Sequence, residues 1–228
     1  MSAQPAYADL AKMIDHSLLQ PVLTDAELEA GCALARQYNV ASVCIKPYAV
    51  KVAAGWLKGS TVAVGTTIGF PQGGHLTAIK VDESQRAMQD GATELDMVVN
   101  IGKVLSKDWH CVADDIKAVV QIAHRGKALV KVIFENCFLK EEHKEQLCRI
   151  CGEAGADFVK TSTGYGDGGA TDEDLKLMRR CSPAGVQVKA AGGVRTLDRL
   201  LAVRALGVTR VGATATPAIL DEARRRFQ

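Results

Sequence analysis

The chain has 228 residues, 47% of them hydrophobic, with 28 Lys and Arg against 26 Asp and Glu for a formal net charge of +2. That near-balance argues against a basic nucleic-acid binder or a polyacidic tail, and the apolar content suffices for a full core, which excludes a disordered chain. Aromatics make up only 5%, so the core is expected to be aliphatic.

No apolar run approaches the eighteen or so residues that cross a bilayer. The Met1–Tyr7 stretch lacks the basic-then-apolar pattern of a signal peptide. The seven cysteines, an odd number spread through apolar segments, suit buried free thiols in a reducing compartment. We therefore expect a cytoplasmic protein with no membrane or nucleic-acid partner.

In chain order, short β-branched runs alternate with longer helical patterns. Strands are predicted at 13–17, 41–46, 61–68, 94–100, 129–135, 158–162, 186–190 and 209–212. Thr24 with Glu27 forms a capping box ahead of Leu28, Cys32 and Leu34, and Thr171 with Asp174 does the same ahead of Leu175, Leu177 and Met178. Helices are predicted over 80–90, stopped by Gly91, and over 142–153, stopped near Gly155. Eight units in this length leave each one room for a strand, a helix and two short loops. Strict alternation without a Pro/Ser-rich linker predicts one domain over 1–228, a (β/α)8 TIM barrel of the α/β class. The competing open doubly wound sheet usually carries a glycine-rich turn after its first strand. Here that position reads Leu18-Leu19-Gln20-Pro21, without glycine.

Function in such a barrel gathers at the C-terminal ends of the strands. Those ends carry Asp15 and His16, Cys44 and Lys46, Asp96 and Asn100, Glu135 and Asn136, Lys160 with Thr161 and Ser162, Lys189, and Gly212. A charge inside an apolar strand is costly unless it is paired or used. Lys160 and Lys189 lie on consecutive strands, and two neighbouring ammonium groups push one of the pair towards its neutral, nucleophilic form. Such an amine forms an iminium with a carbonyl and withdraws electrons from the adjacent carbon, while a carboxylate such as Asp96 can serve the proton transfers. These three residues make a minimal Schiff-base aldolase set. Gly192-Gly193 and Gly212-Ala213-Thr214 follow the last two strands, where this fold binds phosphate, and Pro217 suits the first turn of the closing helix. The glycine-rich run from Gly164 to Gly169 is expected to shape the pocket.

The runs Leu-Asp-Met-Val-Val-Asn-Ile-Gly (95–102), Phe-Val-Lys-Thr-Ser-Thr-Gly (158–164) and Val-Lys-Ala-Ala-Gly-Gly-Val-Arg-Thr (188–196) resemble the deoxyribose-phosphate aldolases. So do Ile-Asp-His-Ser-Leu-Leu (14–19), Ala-Ser-Val-Cys-Ile (41–45), Ile-Gly-Phe-Pro (68–71) and Val-Lys-Val-Ile-Phe-Glu (130–135), so the resemblance spans the whole chain. It implies a class I aldolase of nucleoside catabolism that works without metal or cofactor. The implied reaction is reversible cleavage of 2-deoxy-D-ribose 5-phosphate to acetaldehyde and D-glyceraldehyde 3-phosphate. By motif, Lys160 would form the Schiff base, Lys189 would perturb it, and Asp96 would act as proton donor and acceptor. Asp15, Ser17, Cys44, Thr161, Gly164, Gly192, Gly193, Gly212 and Thr214 are the candidate substrate-binding residues. A homodimer is the implied assembly.

Three positions depart from the family pattern. Gln20 stands where a Lys is common, Tyr165 where Phe or Lys is common, and Thr214 where the last loop usually carries serine, which is followed by Ser or, as in Ala215 here, Ala. An aldolase acting on an unphosphorylated or otherwise substituted sugar is therefore the alternative. Further alternatives are a non-catalytic barrel that binds a phosphorylated metabolite and an isomerase using Glu135 as base. Cys148 and Cys151 have C-x-x-C spacing, but no second pair follows, and the segment reads as a helix with buried thiols.

Overall fold

The computed structural model describes residues 5–227. Residues 1–4, the first part of the stretch read for a signal peptide, lie outside the described residues. The elements follow one another as α1 (Tyr7–Ala11), β1 (Ile14–Leu18), α2 (Asp25–Tyr38), β2 (Ser42–Ile45), α3 (Val50–Trp56), β3 (Ala63–Ile68), α4 (Thr77–Gln89) and β4 (Glu94–Val98). They continue as α5 (Ile101–Leu105), α6 (Trp109–Arg125), β5 (Leu129–Ile133), α7 (Glu141–Ala154), β6 (Phe158–Lys160), α8 (Asp172–Cys181), β7 (Gln187–Ala191), α9 (Leu197–Ala205), β8 (Arg210–Ala213) and α10 (Thr216–Phe227).

The eight strands among the described residues are all parallel and close on themselves, β8 pairing with β1. This is the predicted (β/α)8 barrel, and closure rules out the open doubly wound sheet. Strands packed on both faces need apolar residues in both directions, which the Val-, Ile- and Leu-rich runs supply. Outward side chains such as Val43, Leu95, Val132 and Val188 meet the helical layer through Leu28, Ile116, Leu147 and Leu200, all buried.

Local signals behave as their chemistry requires. Thr24 caps α2, its hydroxyl accepting from the Glu27 amide while the Thr24 amide donates to the Glu27 carboxylate at 2.7 Å. Thr171 caps α8 through its hydroxyl alone, accepting from the Asp174 amide at 3.1 Å. Gly155 ends α7 in the left-handed region. The predicted strands at 94–100, 129–135 and 158–162 run two residues too long at their C-terminal ends. Each overrun has a cause in a side chain or backbone turn. Asn100 turns in to cap α5, Glu135 adopts φ 56°, and the Thr161 hydroxyl takes over bonding to the Ala191 backbone. The helix predicted over 80–90 begins earlier, at Thr77.

One buried ion pair ties the helical layer to the barrel. Lys80 of α4 is fully buried and donates to Asp115 of α6 at 2.5 Å and to the Val98 carbonyl at 2.9 Å, while Thr77 donates to the other Asp115 oxygen. The Lys80 stem lies against Gly69, where a Cβ would come within 2.7 Å of it. Replacing Lys80 by Met keeps the stem but strands a carboxylate and a carbonyl. Lys80→Met is expected to lower stability by about 3 kcal/mol. The measurement is a lower urea midpoint at unchanged m-value; an unaltered midpoint would contradict it.

Candidate active site

Side chains two apart on a strand share a face, and the registers bring one set of charged faces together inside the barrel. Asp96 of β4 stands beside Lys131 of β5, Lys160 of β6 beside Lys189 of β7, and Lys189 beside Arg210 of β8. Asp96 is fully buried at the centre. Its Oδ2 accepts from Lys160 and Lys189, each at 2.7 Å, and its Oδ1 from Lys131 at 2.9 Å. Lys189 also meets Asp15 of β1 at 2.5 Å. Arg210 reaches Asp15 at 2.5 Å and Glu94 at 3.0 Å, and Lys131 meets Glu94 at 2.6 Å.

Four cationic side chains thus share three carboxylates, one proton more than local neutrality needs. The geometry says which amine is least well paired. Lys160 touches one carboxylate oxygen and shares even that with Lys189. Its pKa is lowered, chiefly by burial and further by the Lys189 charge, against the opposing pull of Asp96. Burial works on Lys189 and Lys131 too, but Asp15 and Asp96 outweigh it for both, and their pKa values are raised, that of Lys131 well above the usual lysine range. Burial also disfavours ionised Asp96, yet Lys131, Lys160 and Lys189 hold its carboxyl well below the usual range. In the resting site Asp96 is a carboxylate and Lys189 an ammonium, and Lys160 is the amine closest to neutrality.

A cavity of about 300 Å³ opens above these groups at the C-terminal ends of β6, β7, β8 and β1, at the small end of the range typical of ligand pockets. Of the residues singled out in the sequence, Asp15, Ser17, Cys44, Lys160 and Lys189 line its depth. Gly164, Gly192, Gly193, Gly212 and Thr214 line its upper wall. Asp96 lies behind the lysines, outside the lining. Thr161 also lies outside it, because its hydroxyl bridges to the Ala191 amide and carbonyl at 3.0 and 3.1 Å and so ties β6 to β7. Gly192 and Gly169 press backbone against backbone, where a Cβ on either would come within 2.8 Å of the other. After β7 and β8, the amides of Gly193, Val194, Thr214 and Ala215 have no acceptor among the described residues.

Other expected groups sit elsewhere. Lys46 turns away from the cavity to donate to the Gln20 and Leu23 carbonyls. Glu135 is buried under the β6 loop, accepting from the Thr163 amide and hydroxyl, and does not line the cavity. His16 lies 2.9 Å from the Thr216 hydroxyl, joining β1 to α10, and burial pushes its pKa down to about 4. Burial, with Asp96 adding to it, pushes the Cys44 thiol up to about 11. Cys148 and Cys151 are buried on α7, but Cys137 is exposed on the turn after β5, so the expectation of buried thiols fails there. That turn leaves the barrel at the positive-φ Glu135 and carries Cys137 outward.

The sequence reading missed Glu94, Lys131 and Arg210. Glu94 precedes Leu95 and Asp96, and Lys131 interrupts Leu-Val-Lys-Val-Ile, so the rule that marked Lys160, a charge inside an apolar strand, applies to both. It also missed Arg195, an exposed cation on the cavity rim.

Comparison with known proteins identifies the family. The profile of the DeoC/LacD family aldolases matches residues 9–213. The chain belongs to this family. Among its relatives, the deoxyribose-phosphate aldolase of Rhodopirellula baltica is 57% identical over 97% of this chain and 92% of its own. That of Thermococcus gammatolerans is 47% identical over 95% of this chain and 97% of its own. Among solved structures, the tetrameric deoxyribose phosphate aldolase of Aeropyrum pernix superposes with a TM-score of 0.89 at 29% identity, covering 96% of this chain and 92% of its own. For a DeoC/LacD aldolase the interior charges then carry a definite expectation. Lys131→Met removes one cation, so Asp96 pulls harder on Lys160 and the amine holds its proton to higher pH. The rate of imine trapping at Lys160 is expected to shift its acid limb upward by about one pH unit. An unshifted profile would show that Lys131 does not help set the charge on Lys160.

Proposed function

We propose that the chain is a class I aldolase that cleaves 2-deoxy-D-ribose 5-phosphate to acetaldehyde and D-glyceraldehyde 3-phosphate through an imine on Lys160. The observation that carries this is the depressed Lys160 amine at the base of the cavity, beside an ammonium and a carboxylate that share one oxygen. The named relatives, aligned over nearly the whole chain, support the same chemistry.

The neutral Lys160 amine attacks C1 of the open-chain sugar, and the carbinolamine loses water to give an iminium. The iminium draws the electrons of the C2–C3 bond towards itself as the C3 hydroxyl gives up its proton. Glyceraldehyde 3-phosphate departs, and the enamine left on Lys160 takes a proton at C2. Water then attacks the acetaldehyde iminium and frees the lysine. The mobile proton rests on Lys189, since Asp96 is too strongly held as a carboxylate to store one. Asp96 accepts and passes protons between the two lysines. The iminium is the electron sink, so the cycle runs on the chain's own side chains.

The phosphate would sit at the Gly192-Gly193 and Gly212–Thr214 loops, on free amides near the start of α10, with Arg195 at the rim. Asp15 serves as the counter-ion of Lys189. Ser17, Cys44 and Gly164 contact the sugar from the cavity walls. The whole chain, 1–228, acts as one catalytic domain. Among the described residues no helix is long and apolar enough to cross a membrane, which suits a cytoplasmic enzyme, and we take a homodimer as its assembly.

Incubation with acetaldehyde and borohydride is expected to leave a reduced two-carbon adduct on Lys160, and Lys160→Ala to abolish both adduct and cleavage. An adduct elsewhere, or an active alanine variant, would refute the assignment. Retro-aldol kinetics on deoxyribose 5-phosphate and deoxyribose test the phosphate. A kcat/KM advantage of at least about ten-fold for the phosphorylated sugar is expected. Equal values would favour the unphosphorylated alternative, which Thr214 in place of a serine motivates.

A further inference from the structure

The aldolase cavity occupies only one sector of the barrel mouth. Its lining comes from β1, β2, β6, β7 and β8 and the loops that follow β1, β6, β7 and β8; among the described residues the loops after β3, β4 and β5 give none. One side chain marks the boundary. Tyr165, on the loop after β6, crosses the mouth and donates its hydroxyl to the Leu19 carbonyl on the loop after β1 at 2.7 Å. Its ring meets Phe70, on the loop after β3, edge to face with centroids 5.4 Å apart. The line from β6 to β1 leaves β7 and β8 on one side and β2 to β5 on the other. The cavity lies largely on the β7–β8 side, and Phe70 backs the ring from the β3 side.

Tyr165 is itself held in place. Its amide donates to the Thr163 hydroxyl at 3.0 Å, and Thr163 is fixed from below by the buried Glu135 carboxylate. Glu135 keeps a left-handed backbone, φ 56°, to reach that position, a conformation a non-glycine residue holds only when its surroundings impose it. On the opposite bank, Lys46 pins the loop that Tyr165 grips, through the Gln20 and Leu23 carbonyls. A phenylalanine at 165 would keep the ring contact but could not bond to Leu19.

We propose that Tyr165 is a specificity-determining residue, a crossbar that holds the Leu19–Pro21 wall over the cavity and confines the far end of the substrate to the β7–β8 side. This rests on the aldolase reading above, but acts on the sugar's tail and not on the reacting carbon. It therefore separates long substrates from short ones. Acetaldehyde, which reaches Lys160 without touching the rim, is indifferent to the crossbar, whereas the five-carbon sugar phosphate feels it.

The test compares wild type, Tyr165→Phe, Tyr165→Ala and Phe70→Leu. For Tyr165→Phe, the KM for deoxyribose 5-phosphate is expected to rise about five-fold, the effect of losing one positioning hydrogen bond. Its kcat and its rate of acetaldehyde trapping at Lys160 should be unchanged. Phe70→Leu, which leaves the hydroxyl bridge in place, should raise KM less and also spare trapping. Tyr165→Ala should open the β3 side and use phenylacetaldehyde as an acceptor faster than wild type does; no gain would count against the crossbar. An unchanged KM in Tyr165→Phe, or trapping and cleavage falling together, would overturn the crossbar and leave the aldolase intact. Wild type that traps no acetaldehyde would overturn both.

Discussion

An excess of one proton in a closed, buried space is the constraint on which the rest of this structure depends. Lys131, Lys160, Lys189 and Arg210 face Asp15, Glu94 and Asp96 inside a barrel that water scarcely reaches. Unpaired charge there is expensive, so the surplus bears on the least well paired group and lowers its pKa. The pairings decide which group yields. Lys131 and Lys189 each reach two or more carboxylates, while Lys160 reaches a single oxygen that is already engaged. The same arrangement that holds the barrel interior together leaves one amine without a full counter-charge.

This arrangement links stability to reactivity. Asp96 bonds three lysines at once, so it is a structural tie between β4, β5, β6 and β7, and in the mechanism proposed above it is also the route by which a proton passes between Lys160 and Lys189. A carboxylate so strongly held is a poor proton store but a good conduit. Arg210 and Glu94, one layer further from the cavity, complete the shell around Asp15 and Lys131 and keep the inner charges from shifting. Lys80 and Asp115 repeat the logic outside the barrel, where full pairing leaves nothing to react.

Much of the fold was legible because parallel strands buried on both faces write themselves as continuous aliphatic runs, and capping residues such as Thr24 and Thr171 mark where helices begin. The strand ends were less legible. Glu135 and Thr161 stop their strands with side-chain bonds to residues 28 and 30 positions away, which leave no local pattern, while Asn100 ends its strand by capping the next helix at Lys103. In the site, Lys160, Lys189 and Asp96 stood out as charges in apolar company. Lys131, Glu94 and Arg210 obeyed the same rule, but two of the three sit at or near the start of a strand, where a charge reads as an exposed end. Thr161 looked like a pocket residue because of its neighbours, whereas its hydroxyl belongs to the sheet.

The sequence by itself determined the barrel, the positions of the paired lysines and the glycines that line the cavity above them, because these follow from residue type and spacing along one chain. Only the tertiary structure decided which lysine has its pKa lowered, since that depends on how many carboxylates each amine reaches across strands far apart in sequence. It alone decided, too, that Tyr165 meets Leu19 and Phe70 over the cavity. Those contacts join loops separated by up to 146 residues, and nothing local along the chain encodes where a closed sheet will bring its rim together.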